Sequence, residues 1–349
     1  MSLKNSRQKT AAVLLLVFAA SYLAISLPRC KSDNAKPVTQ TPAPAAQPPV
    51  QQVPTPAFNA DSAYNFVKKQ VGFGPRVPNS EAHRKCAAWI TSEFKKYGMT
   101  VIEQKFQAPH YKAGTTFNGV NIIAQYKPEN PRRIMLSAHW DSRFQADQDT
   151  KDQTKPILGA DDGGSGVGIL LEIARLLQQQ PIDIGVDLIC FDAEDQGNDA
   201  DDGQDHSQSW CLGAQHWSKN LHRPGYMPMF GILLDMVGGA NPKFQKEGIS
   251  MQAAPGIVQK VWSTAASLGY GNVFVEESGA PVTDDHYFII TNARIPVIDV
   301  ISRPGGTKSG FVAHWHTHDD NMNAIDRNTL RIVGEVCLAV VYKTYNGVL

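Results

Sequence analysis

The sequence predicts one α/β domain, a mostly parallel mixed β-sheet flanked by helices on both faces. Three observations carry that reading. Apolar runs of strand length recur through the middle of the chain, and amphipathic helical stretches alternate with them. Histidines or carboxylates stand just beyond several of the runs. The 349 residues are 42% hydrophobic, enough for a large core, so a wholly disordered chain is excluded. The 33 basic residues balance 33 acidic ones, which removes the electrostatic footprint of a nucleic-acid binder; no nucleic-acid partner is expected. Five scattered cysteines make neither a disulfide scaffold nor a four-cysteine zinc site, and no internal repeat is visible.

The chain opens with an address rather than a fold. Lys4, Arg7 and Lys9 precede the apolar run Ala11–Leu27, so residues 1–30 read as a secretory signal or short membrane anchor. Cys30 stands where a bacterial lipoprotein carries its lipidated cysteine, but Arg29 occupies a position that normally holds a small residue. Retained anchor, lipid anchor and cleavage all stay open; export is the common expectation. Residues 31–57 contain seven prolines among alanine and glutamine and form an extended spacer that would hold the folded domain away from a membrane. That domain is expected over residues 58–349.

Within it, Glu81–Tyr97 has helical apolar spacing through Ala88, Ile90 and Phe94, with Gly98 as its stop. Strands are expected at Thr100–Phe106, Val120–Tyr126 and Arg133–His139. Val167–Gln180 is a strongly periodic helix halted at Pro181. Val186–Asp192, Phe230–Asp235 and Ile295–Ile301 are short enough to be buried strands, and Asn328–Tyr345 closes the chain as a helix. The runs ending near residues 139, 192 and 235 deliver His139 and Asp141, Glu194 and Asp195, and Asp235. Open α/β sheets bind ligands outside the carboxyl ends of their strands.

Three motifs add metal chemistry. Gly159–Gly166 (GADDGGSG) offers Asp161 and Asp162 at a helix start, although a cap in an ordinary turn would read the same way. Glu194 and Asp195 are adjacent carboxylates after a buried strand, and burying both demands a cation or a shared proton. His314, His316 and His318 alternate and would point the same way if their segment were extended. Two carboxylates and a histidine can hold zinc in an open tetrahedral site, with water or substrate in the fourth position.

The order GADDGGSG, FDAED, LLDMVGGANP, TDDH, HWHTHDDN resembles the zinc exopeptidase family, which contains aminopeptidases and animal-type glutaminyl cyclases, over about residues 65–345. Within that family the chain is most similar to exported glutaminyl cyclases of Bacteroidetes-type bacteria. The similarity rests on Gly72–Arg84 (GFGPRVPNSEAHR), His139–Arg143 (HWDSR), Leu233–Pro242 and Val312–Asn321. The resemblance implies one Zn2+ per chain held by Asp162, Asp195 and His316, with Glu194 as the acid/base group. It implies Asp235 and Asp285 as a pair hydrogen-bonding near the substrate, and Trp315 as a pocket wall. Asp195 stands where many relatives have glutamate, and Asp299 where the animal enzymes have histidine, so a part for Asp299 in the site network is expected without a copied role.

The implied reaction converts the N-terminal glutamine of peptides or proteins to pyroglutamate with loss of ammonia, in the bacterial periplasm. His139, Asp162, Asp195, Asp235 and His316 also satisfy the ligand inventory of a dinuclear zinc aminopeptidase. The tryptophan before His316, where aminopeptidases more often have tyrosine, favours the cyclase. A third class, a non-catalytic surface binding module, is weakened because no proposed metal ligand is missing. Trp210 reads either as a pocket wall or as a core tryptophan. Asn198–Ser207 reads as a solvated polar loop rather than a calcium site, since EF-hand spacing is absent. Cys190 and Cys211 could pair or remain buried thiols. No oligomeric state is legible.

Overall fold

A computed structural model describes residues 53–349, Ala113 excepted. The expected signal or anchor and most of the proline-rich spacer lie outside the described residues.

Six strands form the main sheet: β1 (Thr100–Pro109), β2 (Thr116–Tyr126), β3 (Arg133–His139), β4 (Gly185–Phe191), β5 (Gly231–Asp235) and β8 (Val297–Ile301). Their spatial order is β1-β2-β4-β3-β5-β8. β4, β3, β5 and β8 run parallel, whereas β2 joins β4 antiparallel and β1 extends it as an antiparallel hairpin. The four parallel strands are buried along their whole length, which is why they read as continuous apolar runs. β1 is an edge strand with mixed exposure. Both hairpin strands are longer than the sequence suggests, because the ladder continues through Gln107↔Asn118, Ala108↔Phe117 and Pro109↔Thr116. A second sheet pairs β6 (Phe244–Lys246) with β7 (Phe274–Ser278).

The pleat sends alternate strand residues to two cores. Ile134, Leu136 and Ala138 meet helices α1 (Ala60–Val71), α2 (Glu81–Lys96), α3 (Gly164–Gln179), α6 (Pro255–Ser267) and α8 (Arg327–Tyr345). Met135, Ile189 and Leu233 meet α4 (Leu212–Lys219) and α7 (Asp285–Phe288) on the other face. A short helix, α5 (Gly248–Ala253), packs on β8. Cys190 belongs to the first core and Cys211 to the second, so these two buried thiols are unpaired. Register between β3 and β4 is pinned by a buried pair in which Arg133 Nε lies 2.6 Å from Asp187 Oδ2. Tyr226 adds a hydroxyl to the same carboxylate at 2.7 Å.

The start of α3 lies directly on the carboxyl ends of β3 and β5. Gly166 permits this, since a Cβ there would stand 2.6 Å from both the Ala138 Cβ and the Leu234 carbonyl. Close approach brings the GADD loop over the strand ends, where a ligand is expected.

Candidate metal centre and active-site pocket

Each strand end contributes one part of the site. β3 finishes on His139, β5 on Asp235, and β4 leads into Asp192-Ala193-Glu194-Asp195. Ala193 takes a left-handed conformation at φ 53°, so this turn needs outside support. Asp141, fully buried, accepts the Glu194 and Asp195 amides at 3.1 and 3.2 Å and the Gln196 side chain at 2.9 Å. From the opposite side, the first turn of α4 offers three backbone donors. Cys211, Leu212 and Gly213 donate to the carbonyls of Glu194, Ala193 and Asp192 at 2.9, 3.0 and 2.9 Å. Asp192 itself is gripped by His83 Nε2 at 2.8 Å and the Val120 amide at 2.6 Å. Arg76 donates to the Trp140 and Gly159 carbonyls at 2.8 and 2.6 Å. The GFGPR and His83 signature therefore holds the loops of the site without entering it.

Asp162, Asp195 and His316 converge from three segments and are all buried. Their ligand atoms lie within 4.8 Å of one another. His316 Nε2 is 3.0 Å from Asp195 Oδ1 and 3.9 Å from Asp162 Oδ2. Ligand atoms of a tetrahedral zinc with ~2.0–2.1 Å bonds stand about 3.3 Å apart, so the trio has the size of such a site. Asp195 Oδ2 is buried with no hydrogen-bond partner, an acceptor left for a cation. His316 Nδ1 lies 3.2 Å from Asp147 Oδ1, and Arg143 Nε holds that carboxylate at 2.8 Å. A carboxylate behind a histidine is the arrangement that orients a metal ligand. Burial, with the Asp162 charge behind it, pushes the Asp195 carboxyl up to about 6. Burial disfavours a charged His316, yet the facing Asp195 carboxylate raises it to about 8.

The histidine run is not extended. It is a series of turns with His316 at φ 55°, and the three rings diverge. His314 Nε2 contacts Asp161 at 2.8 Å and His318 Nδ1 contacts Asp149 at 2.9 Å. Asp320 accepts the Asp161 and Asp162 amides at 2.7 and 3.2 Å, tying this segment to the GADD loop.

A cavity of about 630 Å³ opens onto the trio. Glu194, Asp235, Trp210 and Trp315 line it. Trp315 stacks on His316 at 3.7 Å between centroids, and Trp210 lies parallel to the same imidazole at 6.0 Å. Trp210 is thus a wall of the pocket as well as a rest for the Arg143 guanidinium, 4.7 Å away. Asp285 and Asp299 are fully buried behind the wall rather than lining it. Asp284 is the acid of TDDH that reaches the cavity; it caps α7 and accepts the Asp285 amide. Asp299 faces His286 Nδ1 at 3.9 Å, and Glu247 holds the other ring nitrogen at 3.1 Å. Burial raises the carboxyls of Glu194, Asp235, Asp285 and Asp299 well above their ordinary values, and the Asp284 charge adds to it in each case.

The model for peptidase family M28 matches residues 121–341. The chain belongs to that family. A glutaminyl cyclase from Bacteroides thetaiotaomicron, solved with N-acetylhistamine, is 49% identical over 83% of this chain and 99% of its own, with a TM-score of 0.80. The Tannerella forsythia glutaminyl cyclase is 48% identical over 82% and 99%, also at 0.80. A structure described as a leucine aminopeptidase precursor from B. thetaiotaomicron is 49% identical over 83% and 99%, at 0.79. The fold is that of the zinc exopeptidases. Consistent with both names in the family, a second donor trio stands beside the first: His139 Nε2 lies 2.9 Å from Asp162 Oδ1 and 3.3 Å from Asp235 Oδ1. Sequence reasoning assigns no part in the site to Asp147, Arg143, Asp284, Cys211 or Asp320; the HWDSR motif is the one signal for Arg143.

Proposed function

We propose that the protein is a zinc-dependent glutaminyl-peptide cyclotransferase that acts on peptides or proteins with N-terminal glutamine, with one zinc per chain. One observation carries the reading: Glu194 lines the cavity beside the Asp162, Asp195 and His316 trio but is not part of it, leaving a free carboxyl next to a metal-sized donor set. The likeness to bacterial glutaminyl cyclases supports it. Zinc bound by the trio would polarise the γ-carbonyl as a Lewis acid.

The remaining work falls to the chain. Trp210 and Trp315 take the glutamine methylenes and orient the γ-amide against its own α-amine, which turns the reaction into a favourable intramolecular attack. Asp235 and Asp284 face the amine. Glu194 accepts the proton released as the amine nitrogen bonds to the γ-carbon, then gives it to the departing amide nitrogen. Ammonia leaves and the lactam closes; no water is consumed. The test measures zinc content and ammonia release from Gln-peptides, with aminoacyl amides assayed in parallel. One zinc with ammonia release supports the cyclase. Two tightly held zincs with amide hydrolysis would favour the aminopeptidase reading, for which the His139, Asp162 and Asp235 trio is the specific observation.

Export to the bacterial periplasm through residues 1–30, with residues 31–57 as the spacer, belongs to the same proposal. Its support is the basic, apolar and proline-rich order of the sequence. Finding the full-length protein in the cytosol on fractionation would refute it.

A further inference from the structure

The cavity is several times larger than one glutaminyl residue requires, so residues after the glutamine also lie within it. One wall carries the main sheet outward. Asp235 of β5 stands opposite Ile301 of β8, and Arg303 follows two residues beyond. The chain stays extended past β8, because Ser302 bridges to Phe244 and the Arg303 amide donates to the Lys243 carbonyl at 2.9 Å. Alternation therefore turns Ile301 and Arg303 to one side, and both line the cavity. Two extended residues span about 7 Å, which puts the arginine one or two peptide residues outward from Asp235.

The Arg303 side chain is held in place without being used up. Its guanidinium lies over Phe311 at 4.8 Å, Phe311 meets Trp315 at 4.8 Å, and Trp315 stacks on His316 at 3.7 Å. A continuous stack thus runs from His316 to the arginine. Nη2 donates to the Ser309 carbonyl at 3.3 Å. Gly310 makes room for that contact, since at φ 79° it has no side chain and a Cβ there would stand 2.8 Å from Nη2. A guanidinium has five N–H donors in a planar fork. Among the described residues Arg303 donates from its side chain to Ser309 alone, and none of the cavity's carboxylates pairs with it.

We infer that Arg303 is a specificity-determining residue that receives a carboxylate one or two residues after the N-terminal glutamine, from an acidic side chain or from the C-terminus of a short peptide. This rests on the cyclase reading of the pocket. A carboxylate fits the fork with two parallel N–H···O bonds. Glu194, Asp195, Asp235 and Asp284 make the glutamine end of the cavity hostile to an anion, so the preference is confined to the position that Arg303 reaches.

The test uses zinc-loaded protein and two peptide pairs. Gln-Glu amide against Gln-Gln amide isolates a side-chain carboxylate, and Gln-Ala against Gln-Ala amide isolates a C-terminal one. In at least one pair the carboxylate peptide should have a KM about tenfold lower than its neutral counterpart, and the pair that shows it names the source. Arg303→Gln should bring that ratio to about one. Arg303→Lys keeps the charge but not the fork and should retain about threefold. An arginine that merely ties down its own loop would shift both members of a pair together and leave the ratio alone. Ratios near one in wild type, or a preference that survives in Arg303→Gln, overturn the subsite. Titration of the same peptides gives Kd ratios whether or not ammonia appears. Absence of ammonia from all four would therefore count against the cyclase, while the affinity ratio decides Arg303.

Discussion

The Cys211 thiol donates to Glu194 Oε1 at 3.1 Å, and the Cys211 amide donates to the Glu194 carbonyl at 2.9 Å. One residue thus fixes both the backbone and the carboxylate of the proposed acid/base group. Burial holds the thiol well above its ordinary value, so at neutral pH it remains a donor. Cys211→Ala removes the donor without the β-branch that this residue's left-handed backbone at φ 57° would resist, and should lower kcat about fivefold to tenfold, the value of one modest hydrogen bond, with KM and zinc content unchanged. Cys211→Ser should recover most of that loss. Steady-state kinetics on the pair settles it; equal rates for both variants and wild type would dismiss the contact.

Glu194→Gln keeps size and hydrogen bonding but cannot take the amine proton. Zinc content and KM should stay near wild type while ammonia release falls by roughly two to four orders of magnitude. Loss of zinc instead would mean that Glu194, not Asp195, is the ligand.

His316→Ala should abolish tight zinc binding and turnover while the circular-dichroism spectrum is preserved, because the trio sits on strand ends and loops rather than in either core. Asp147→Asn leaves the ligand in place but weakens its support. Zinc affinity measured by chelator competition should drop about tenfold to a hundredfold. Unchanged affinity would show that the 3.2 Å approach to His316 carries no weight.

Glu247 reports on acid stability. Burial works against its charge, but contact with His286 and the Ile249 and Ser250 amides lowers its carboxyl from 4.5 to about 2. A carboxyl depressed in the folded state stabilises above its unfolded value and loses that contribution as pH falls through the folded one. The window is therefore about 4.5 down to about 2, and the contribution at pH 7 is about 3 kcal/mol. In metal-free protein, urea denaturation should show wild type losing its advantage over Glu247→Gln between pH 7 and pH 3. A constant difference across that range would contradict the assignment.

Legibility follows burial and length. β3, β4 and β5 are readable because a strand buried on both faces has nothing but apolar residues to show. α3 is readable from its period, and α6 could have been: Pro255 opens it and Val258, Val261, Trp262 and Ala265 recur at helical spacing. β6 and β7 are not, since they are short, carry one buried residue each and exist only through tertiary pairing. In the site, residues within motifs are visible as types. Asp147 is not, because nothing local distinguishes an aspartate that the fold will bring 169 positions along the chain to His316. The choice between Asp284 and Asp285 hangs on a helix cap without any periodic signal beside it, in a helix too short to have one.

The three amides of Cys211, Leu212 and Gly213 close on the carbonyls of Glu194, Ala193 and Asp192, and a Cβ at Gly213 would stand 2.3 Å from the Asp192 carbonyl. Everything between Gln196 and Trp210 is consequently a loop with a clamped base. Its length and charge can change without moving the Glu194 backbone. The segment is thus a part of the cavity wall that hangs from a fixed base, open to exchange while the Glu194 turn stays put.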